Sequence, residues 1–114
     1  GWAVEIQSVP RTEDFDGAAV ENIRSVIKNA ANADGPTLTT VMLVGRVAVP
    51  YSGRMAPDGH APDHVGAWPA DAIYGDLDGN YTDNVINSPN TQRPKNNNVP
   101  GDGKYDQSII ATDL

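Results

Sequence analysis

The feature that most constrains this 114-residue sequence is where its prolines lie. Seven of the nine prolines fall between residues 50 and 100, and no helical spacing of apolar residues persists in that half. Proline fixes φ and removes a backbone donor, so long helices and central strands are not expected there. We therefore expect one domain with two parts, in which residues 1–49 hold the regular structure and residues 50–114 are rich in loops.

Residues 17–32 are expected to form an amphipathic helix. Val20, Ile23 and Ile27 recur at spacings of three and four residues, and Arg24 falls on the opposite, polar face. The apolar stripe predicts that this helix packs against a sheet. The expected ends of the helix are Asp14 or Asp16 as N-cap and the Asn32–Pro36 turn as terminator.

Two strands are expected to flank this helix. Residues 2–8 alternate large apolar side chains with small or polar ones, and residues 40–45 form a short apolar run rich in β-branched side chains. Strand, helix and strand in this order predict a right-handed βαβ crossover, with the two strands parallel in an α/β fold. One further short strand is expected at residues 70–74.

Composition excludes several classes of function. The net charge is −7, and no basic stripe is present to bind a nucleic-acid backbone. No apolar run reaches the roughly 18 residues of a membrane-spanning helix, so membrane insertion is not expected. The sequence contains no cysteine, which excludes a disulfide, a thiolate metal site and a cysteine nucleophile within these residues.

Acidic residues are concentrated in the second half, where residues 58–114 hold nine aspartates and three basic residues. Short oxygen side chains in glycine-rich loops are the ligands that calcium prefers, which favours two calcium loops. Neither loop is an EF-hand, and the alternative is that aspartate, asparagine and glycine simply form turns. The expected calcium ligands are Asp76, Asp78, Asn80 and Asp83 in the first loop and Asn98, Asp102 and Asp106 in the second.

Both histidines of the sequence lie in one short loop that also holds two aspartates. Residues Asp58, His60, Asp63 and His64 are therefore a possible second metal site, with Zn²⁺ as the ion that imidazole favours. Pro62 argues against a regular helix that would align the two rings. The alternative is a loop in which these side chains hydrogen-bond the turn backbone.

Four segments of the sequence are distinctive in combination: residues 41–53, 57–60, 66–79 and 101–108. Together they resemble secreted bacterial gingipain-like cysteine peptidases. The resemblance implies a caspase-like α/β fold, of which this chain holds the N-terminal part, a secreted or cell-surface location, and calcium binding.

The same resemblance implies that the catalytic histidine and cysteine lie on later strands, so no catalytic residue is assigned in this chain. His60 precedes those strands and is not expected to be the catalytic histidine. By similarity, Asp71 is a candidate substrate-binding residue that accepts a basic side chain before the cleaved bond.

Two functions of different class follow from these observations. In the first, the chain is the N-terminal portion of a secreted peptidase domain, inactive alone, whose partner is the remainder of the parent domain. In the alternative, it is a non-catalytic, calcium-stabilised extracellular module that assembles with other copies of itself. Either arrangement covers the unpaired backbone groups that half a sheet exposes.

Overall fold

The computed structural model describes residues 1–33, 37–56, 58–89 and 91–108. Within them, two short strands pair antiparallel, with Tyr51 opposite Pro69 and Ser52 opposite Trp68. The result is a small α/β arrangement of one helix and a two-stranded sheet, consistent with part of a domain. The elements are helix α1 (Gly17–Ala31), strands β1 (Tyr51–Ser52) and β2 (Trp68–Pro69), and 3-10 helices at Asp71–Tyr74 and Pro94–Asn96.

Helix α1 confirms the helix expected at residues 17–32. Asp16 is its N-cap, and the Asp16 carboxylate accepts a hydrogen bond of 3.0 Å from the Ala19 amide. The predicted apolar stripe of Val20, Ile23 and Ile27 is buried. The turn expected to end the helix lies partly outside the described residues, because residues 34–36 are not among them. No helix in the described part of the chain is long and apolar enough to cross a membrane.

Arg24 is buried, which corrects the prediction that it lies on the solvent face of α1. Its guanidinium lies over the rings of Tyr81, at 4.7 Å, and Tyr105, at 5.7 Å. It also pairs with Glu21 at 3.4 Å. Arginine is weakly hydrated and stacks on aromatic rings, so two tyrosines from the loop-rich half can enclose it.

The core joins α1 to the loop-rich half of the chain. Ile73 and Tyr74 are adjacent and both buried, and the Tyr74 hydroxyl donates to the Ala48 carbonyl at 2.7 Å. The prediction of a strand at residues 70–74 is therefore wrong. These residues form a 3-10 turn, which places the two consecutive side chains in the core. The buried apolar core consists of Ala19, Val20, Ile23, Ile27, Ala48, Ile73, Tyr74 and Tyr105.

The parallel βαβ unit is not confirmed. Residues 2–8 and 40–45 have no regular secondary structure, and neither segment forms a strand within the described residues. Trp2, Val4 and Ile6 are 84%, 81% and 87% exposed. A strand assignment requires backbone pairing, and the part of the chain that is described provides no backbone partner for either segment.

Candidate functional site

Three side chains from the 58–64 loop form the tightest group of possible metal ligands. Asp58, His60 and His64 each offer one ligand atom, and these atoms all lie within 4.8 Å of one another. Among the residues that the structure describes, no other group of three or more histidine, cysteine or acidic side chains meets this distance. Asp63, the fourth residue predicted for this site, is exposed and lies outside the group.

A short turn brings the two histidines together without a regular helix. The Asp58 carboxylate accepts a hydrogen bond from the His60 amide at 3.1 Å, and Gly59 supplies the positive φ of 80° between them. The His64 amide then donates to the His60 carbonyl at 2.9 Å, which closes a single turn of i to i+4 type. Proline at position 62 thus prevents a longer helix but not this one turn.

Both imidazoles approach the same carboxylate oxygen. The Nδ1 atoms of His60 and His64 lie 3.0 Å and 2.6 Å from Oδ2 of Asp58. The hydrogen bond from His60 is the main cause that lowers the pKa of Asp58 below its usual value, and His64 adds to it. The Asp58 carboxylate is therefore held as an anion between the two rings.

Trp68 fixes one side of this group and was not singled out as a site residue from the sequence. Its indole Nε1 donates to the His64 carbonyl at 2.8 Å, and the His64 ring packs edge-on against it at 5.1 Å. The guanidinium of Arg93 covers the Trp68 ring at 5.1 Å. A tryptophan four residues after a histidine was the only available signal for this contact.

In the first predicted calcium loop, Asp76 acts as a turn acceptor. Its carboxylate accepts hydrogen bonds from the Gly79 amide at 2.8 Å and from the Tyr81 hydroxyl at 2.5 Å. The Tyr81 bond is the main cause that lowers the pKa of Asp76. Asp78 and Asn80, from the same loop, are exposed.

Asp83 joins the two predicted loops instead of converging with Asp76. Its two carboxylate oxygens accept hydrogen bonds from the amides of Gly101, at 2.9 Å, and Gly103, at 2.6 Å. Asp102 accepts from the amides of Val99 and Lys104 within its own turn. Both aspartates therefore hold the backbone of the second loop in place.

Asp106 is a buried carboxylate surrounded by donors. One oxygen accepts from the Thr82 hydroxyl and from the amides of Asn84 and Val85, and the other accepts from the Ile86 amide at 3.2 Å. Burial alone would raise the pKa of Asp106, but these hydrogen bonds to the ionised form outweigh burial and lower it.

Asn98 is fully buried and acts as a clamp between loops. Its Nδ2 donates to the carbonyls of Gly53, at 3.0 Å, and Tyr105, at 2.9 Å. Its Oδ1 has no partner among the described residues. The side chain thus ties the end of β1 to the second loop.

These contacts bear on whether the loops fit calcium. A calcium ion would share the carboxylates of Asp76, Asp83 and Asp106 with the backbone and hydroxyl donors that already bond to them. Of the seven predicted ligands, five form hydrogen bonds through their side chains and two, Asp78 and Asn80, are exposed. Calcium binding at these loops stays a prediction.

Asp71, the predicted substrate-binding residue, is exposed at the first position of the 3-10 helix Asp71–Tyr74. A cleft of about 360 Å³ opens beside β1 and β2, with Trp68 in its wall, and Asp71 does not line it. The structure thus places Asp71 at the surface, outside the lining of this cleft and outside the group of Asp58, His60 and His64.

Comparison with known proteins supports one relationship. A family profile described as peptidase family C25 matches residues 1–101 of this chain. No curated protein and no solved structure matches it significantly. Since the matched residues make up most of the sequence, the chain belongs to peptidase family C25, the gingipain family of cysteine peptidases.

Proposed function

We propose that this chain is the N-terminal portion of a secreted gingipain-like peptidase domain and that it is not catalytic alone. Its role in that domain is structural. It supplies helix α1 and the exposed apolar segments at residues 2–8 and 40–45, on which the remainder of the parent domain folds. Membership of the peptidase family supports this proposal, together with the surfaces that the chain leaves uncovered.

The exposed apolar segments are the observation that carries the proposal. Along residues 40–45, Met42 and Val44 are 81% and 79% exposed, whereas Val41 and Leu43 are 43% and 40% exposed. This alternation of period two is typical of a strand with one face partly covered and the other open. Large apolar side chains in such numbers mark a surface that another part of a protein covers.

The lack of catalysis follows from chemistry. A cysteine peptidase attacks the amide carbonyl with a thiolate, and the 114 residues contain no cysteine. The two histidines contact Asp58 through their ring nitrogens. The nucleophile must therefore come from another segment of the parent protein.

Within this proposal, Asp71 accepts the basic side chain of the substrate. Its exposure at the start of a 3-10 helix leaves the carboxylate accessible to a charged group. Asp71→Asn should then raise KM for substrates with arginine or lysine before the cleaved bond and leave other substrates unaffected.

The proposal is tested by reconstitution. The chain is mixed with the segment of its parent protein that follows it, and thiol-dependent hydrolysis of peptide amides is measured. We expect hydrolysis from the mixture and none from either part alone. Met42→Asp should prevent reconstitution, because it places a charge on the surface to be covered. Ser25→Asp, on the exposed face of α1, is the matched control and should not affect it.

Two results would count against the proposal. Thiol-sensitive hydrolysis by the chain alone would overturn the claim that it is not catalytic. A stable homo-oligomer of the chain that Met42→Asp dissociates, without any reconstitution, would support the alternative assembly module instead.

A further inference from the structure

We propose that Asp58, His60 and His64 bind a divalent transition-metal ion, with Zn²⁺ as the expected occupant. The proposal does not rest on the peptidase assignment, since it concerns three side chains that no part of the proposed function uses. It rests on their geometry, their chemistry and their accessibility.

The spacing of the ligand atoms fits a tetrahedral ion. Two ligands about 2.0–2.1 Å from zinc at a tetrahedral angle lie roughly 3.3 Å apart. The two Nδ1 atoms lie 3.0 Å and 2.6 Å from Oδ2 of Asp58, so a small rotation of the rings away from the carboxylate makes room for an ion. The ring centroids of His60 and His64 are 5.4 Å apart, which leaves both nitrogens free to face one centre.

The donor set selects the class of ion. Two imidazole nitrogens with one carboxylate oxygen suit zinc and its neighbours in the transition series, whereas calcium and magnesium prefer oxygen ligands alone. At the ion, each neutral imidazole would bind through the lone pair of Nδ1 and carry its single proton on Nε2, while Asp58 would bind as the ionised carboxylate.

Access and support are both present at this site. The side chain of His60 is 73% exposed and that of Asp58 is 46% exposed, so an ion from solvent can reach the group. The side chain of His64 is only 27% exposed and is held by Trp68, whose Nε1 bonds the His64 carbonyl. Three protein ligands leave one position for water, and the bound ion would fix the 58–64 turn against the start of β2.

Trp68 provides a direct signal for the test. The chain has two tryptophans, and Trp2→Phe leaves Trp68 as the only one. In this background, the full chain is titrated with CoCl₂, which should quench Trp68 emission because the His64 ring contacts the indole. ZnCl₂ should reverse the quenching by competition, and CaCl₂ at the same concentration should not.

Variants assign the signal to its ligands. His60→Ala removes the most exposed ligand and is the variant least able to disturb folding, and it should weaken cobalt and zinc binding about tenfold or more. His64→Gln should do the same. Asp63→Asn, which changes a neighbouring acid outside the group, is the matched control and should leave both affinities unchanged.

Several results would overturn the proposal. Cobalt binding that is equal in the parent chain and in His60→Ala would place the ion on other carboxylates. Reversal of the quenching by calcium as readily as by zinc would show a non-selective acidic surface. A melting temperature that ZnCl₂ does not raise, in a chain that circular dichroism shows to be folded, would show that the loop is only a hydrogen-bonded turn.

Discussion

Helix α1 and the two apolar segments that flank it in sequence, residues 2–8 and 40–45, have opposite surroundings. The helix buries Val20, Ile23 and Ile27 against side chains from the loop-rich half. Residues 2–8 and 40–45 carry side chains of similar hydrophobicity, yet most of those are exposed. Ile73, Tyr74 and Tyr105 of the loop-rich half pack against the helix, whereas residues 2–8 and 40–45 add no buried residue to this core.

The difference shows where the contacts that stabilise this chain are located. Gly17, at the start of α1, passes so close to Gly103 that a Cβ at position 17 would lie 2.9 Å from the Gly103 Cα. Asp83 holds that same second loop by both of its oxygens. The helix and the acidic loops thus form one packed unit, whereas the large apolar side chains of residues 2–8 and 40–45 lie largely outside it.

The largest effect is expected from truncating the core face of α1. Ile23→Ala or Ile27→Ala should lower the free energy of unfolding by about 2–5 kcal/mol, because each leaves a cavity in the buried core. Ile6→Ala and Met42→Ala, measured by the same urea titration, are the matched controls and should cost less than about 0.5 kcal/mol in the isolated chain. Equal costs at the two kinds of site would remove the contrast between them.

A smaller effect is expected at the buried carboxylate of the second loop. Asp106→Ala should cost about 1–3 kcal/mol, because it leaves the amides of residues 84–86 and the Thr82 hydroxyl without their acceptor. Asp78→Ala, at an exposed aspartate, is the control and should have little effect. Thermal melts of both variants measure this, and equal melting temperatures would contradict the role assigned to Asp106.

Acid should lower the stability of the packed unit through Asp106. The pKa of Asp106 is lower in the folded chain than its usual value of 3.8, so its contribution is fully present above that value and is lost as pH falls through the lowered pKa. Urea midpoints between pH 7 and pH 2 should therefore decrease mainly below pH 4. Asp106→Asn should flatten this decrease, and an unchanged slope would show that other carboxylates cause it.

Alkali should also lower the stability of the packed unit, in this case through Tyr74 and Tyr81. Burial raises the pKa of Tyr74 to about 12, and burial followed by the Asp76 hydrogen bond raises that of Tyr81 to about 12. Their stabilising contribution is present below pH 10 and is lost as pH rises towards 12. Ultraviolet titration should show Tyr74 and Tyr81 ionising well above pH 10, and ionisation of both phenols near pH 10 would contradict this account of their surroundings.

The smallest effect is expected from calcium, because its carboxylate ligands already accept hydrogen bonds. Calcium should raise the melting temperature modestly and in proportion to the logarithm of its concentration, and a chelator should reverse the rise. Asp78→Ala should abolish the calcium response, since it removes an exposed carboxylate that the ion can reach. If neither chelator nor this variant changes the melt, the two acidic loops are ordinary turns.

Local signals in the sequence were enough to predict α1 and its buried face and to limit its N-cap to Asp14 or Asp16, because helix periodicity and capping depend on nearby residues. They were not enough for Arg24, whose burial depends on Tyr81 and Tyr105, more than fifty residues away. The same limit applies to residues 70–74, where burial of two adjacent side chains favoured a 3-10 turn over a strand.

The metal predictions show the same division. The pairing of His60 and His64 was recognisable as a candidate because both lie in one short turn. Asp83 and Asp106 accept hydrogen bonds from backbone amides about twenty residues away, in the other loop. The composition of one loop does not reveal these donors, so it could not predict whether the two carboxylates act as ion ligands or as backbone acceptors.

Hydrogen exchange of residues 2–8 and 40–45 tests most directly whether this chain is part of a larger peptidase domain. Exchange is followed by mass spectrometry in the isolated chain, confirmed as a monomer by sedimentation, and in the parent protein. We expect the amides of both segments to exchange at nearly the rate of an unfolded peptide in the isolated chain while those of α1 are protected, and to become protected in the parent protein. Protection of both segments in the isolated monomer to the same degree as α1 would contradict the account.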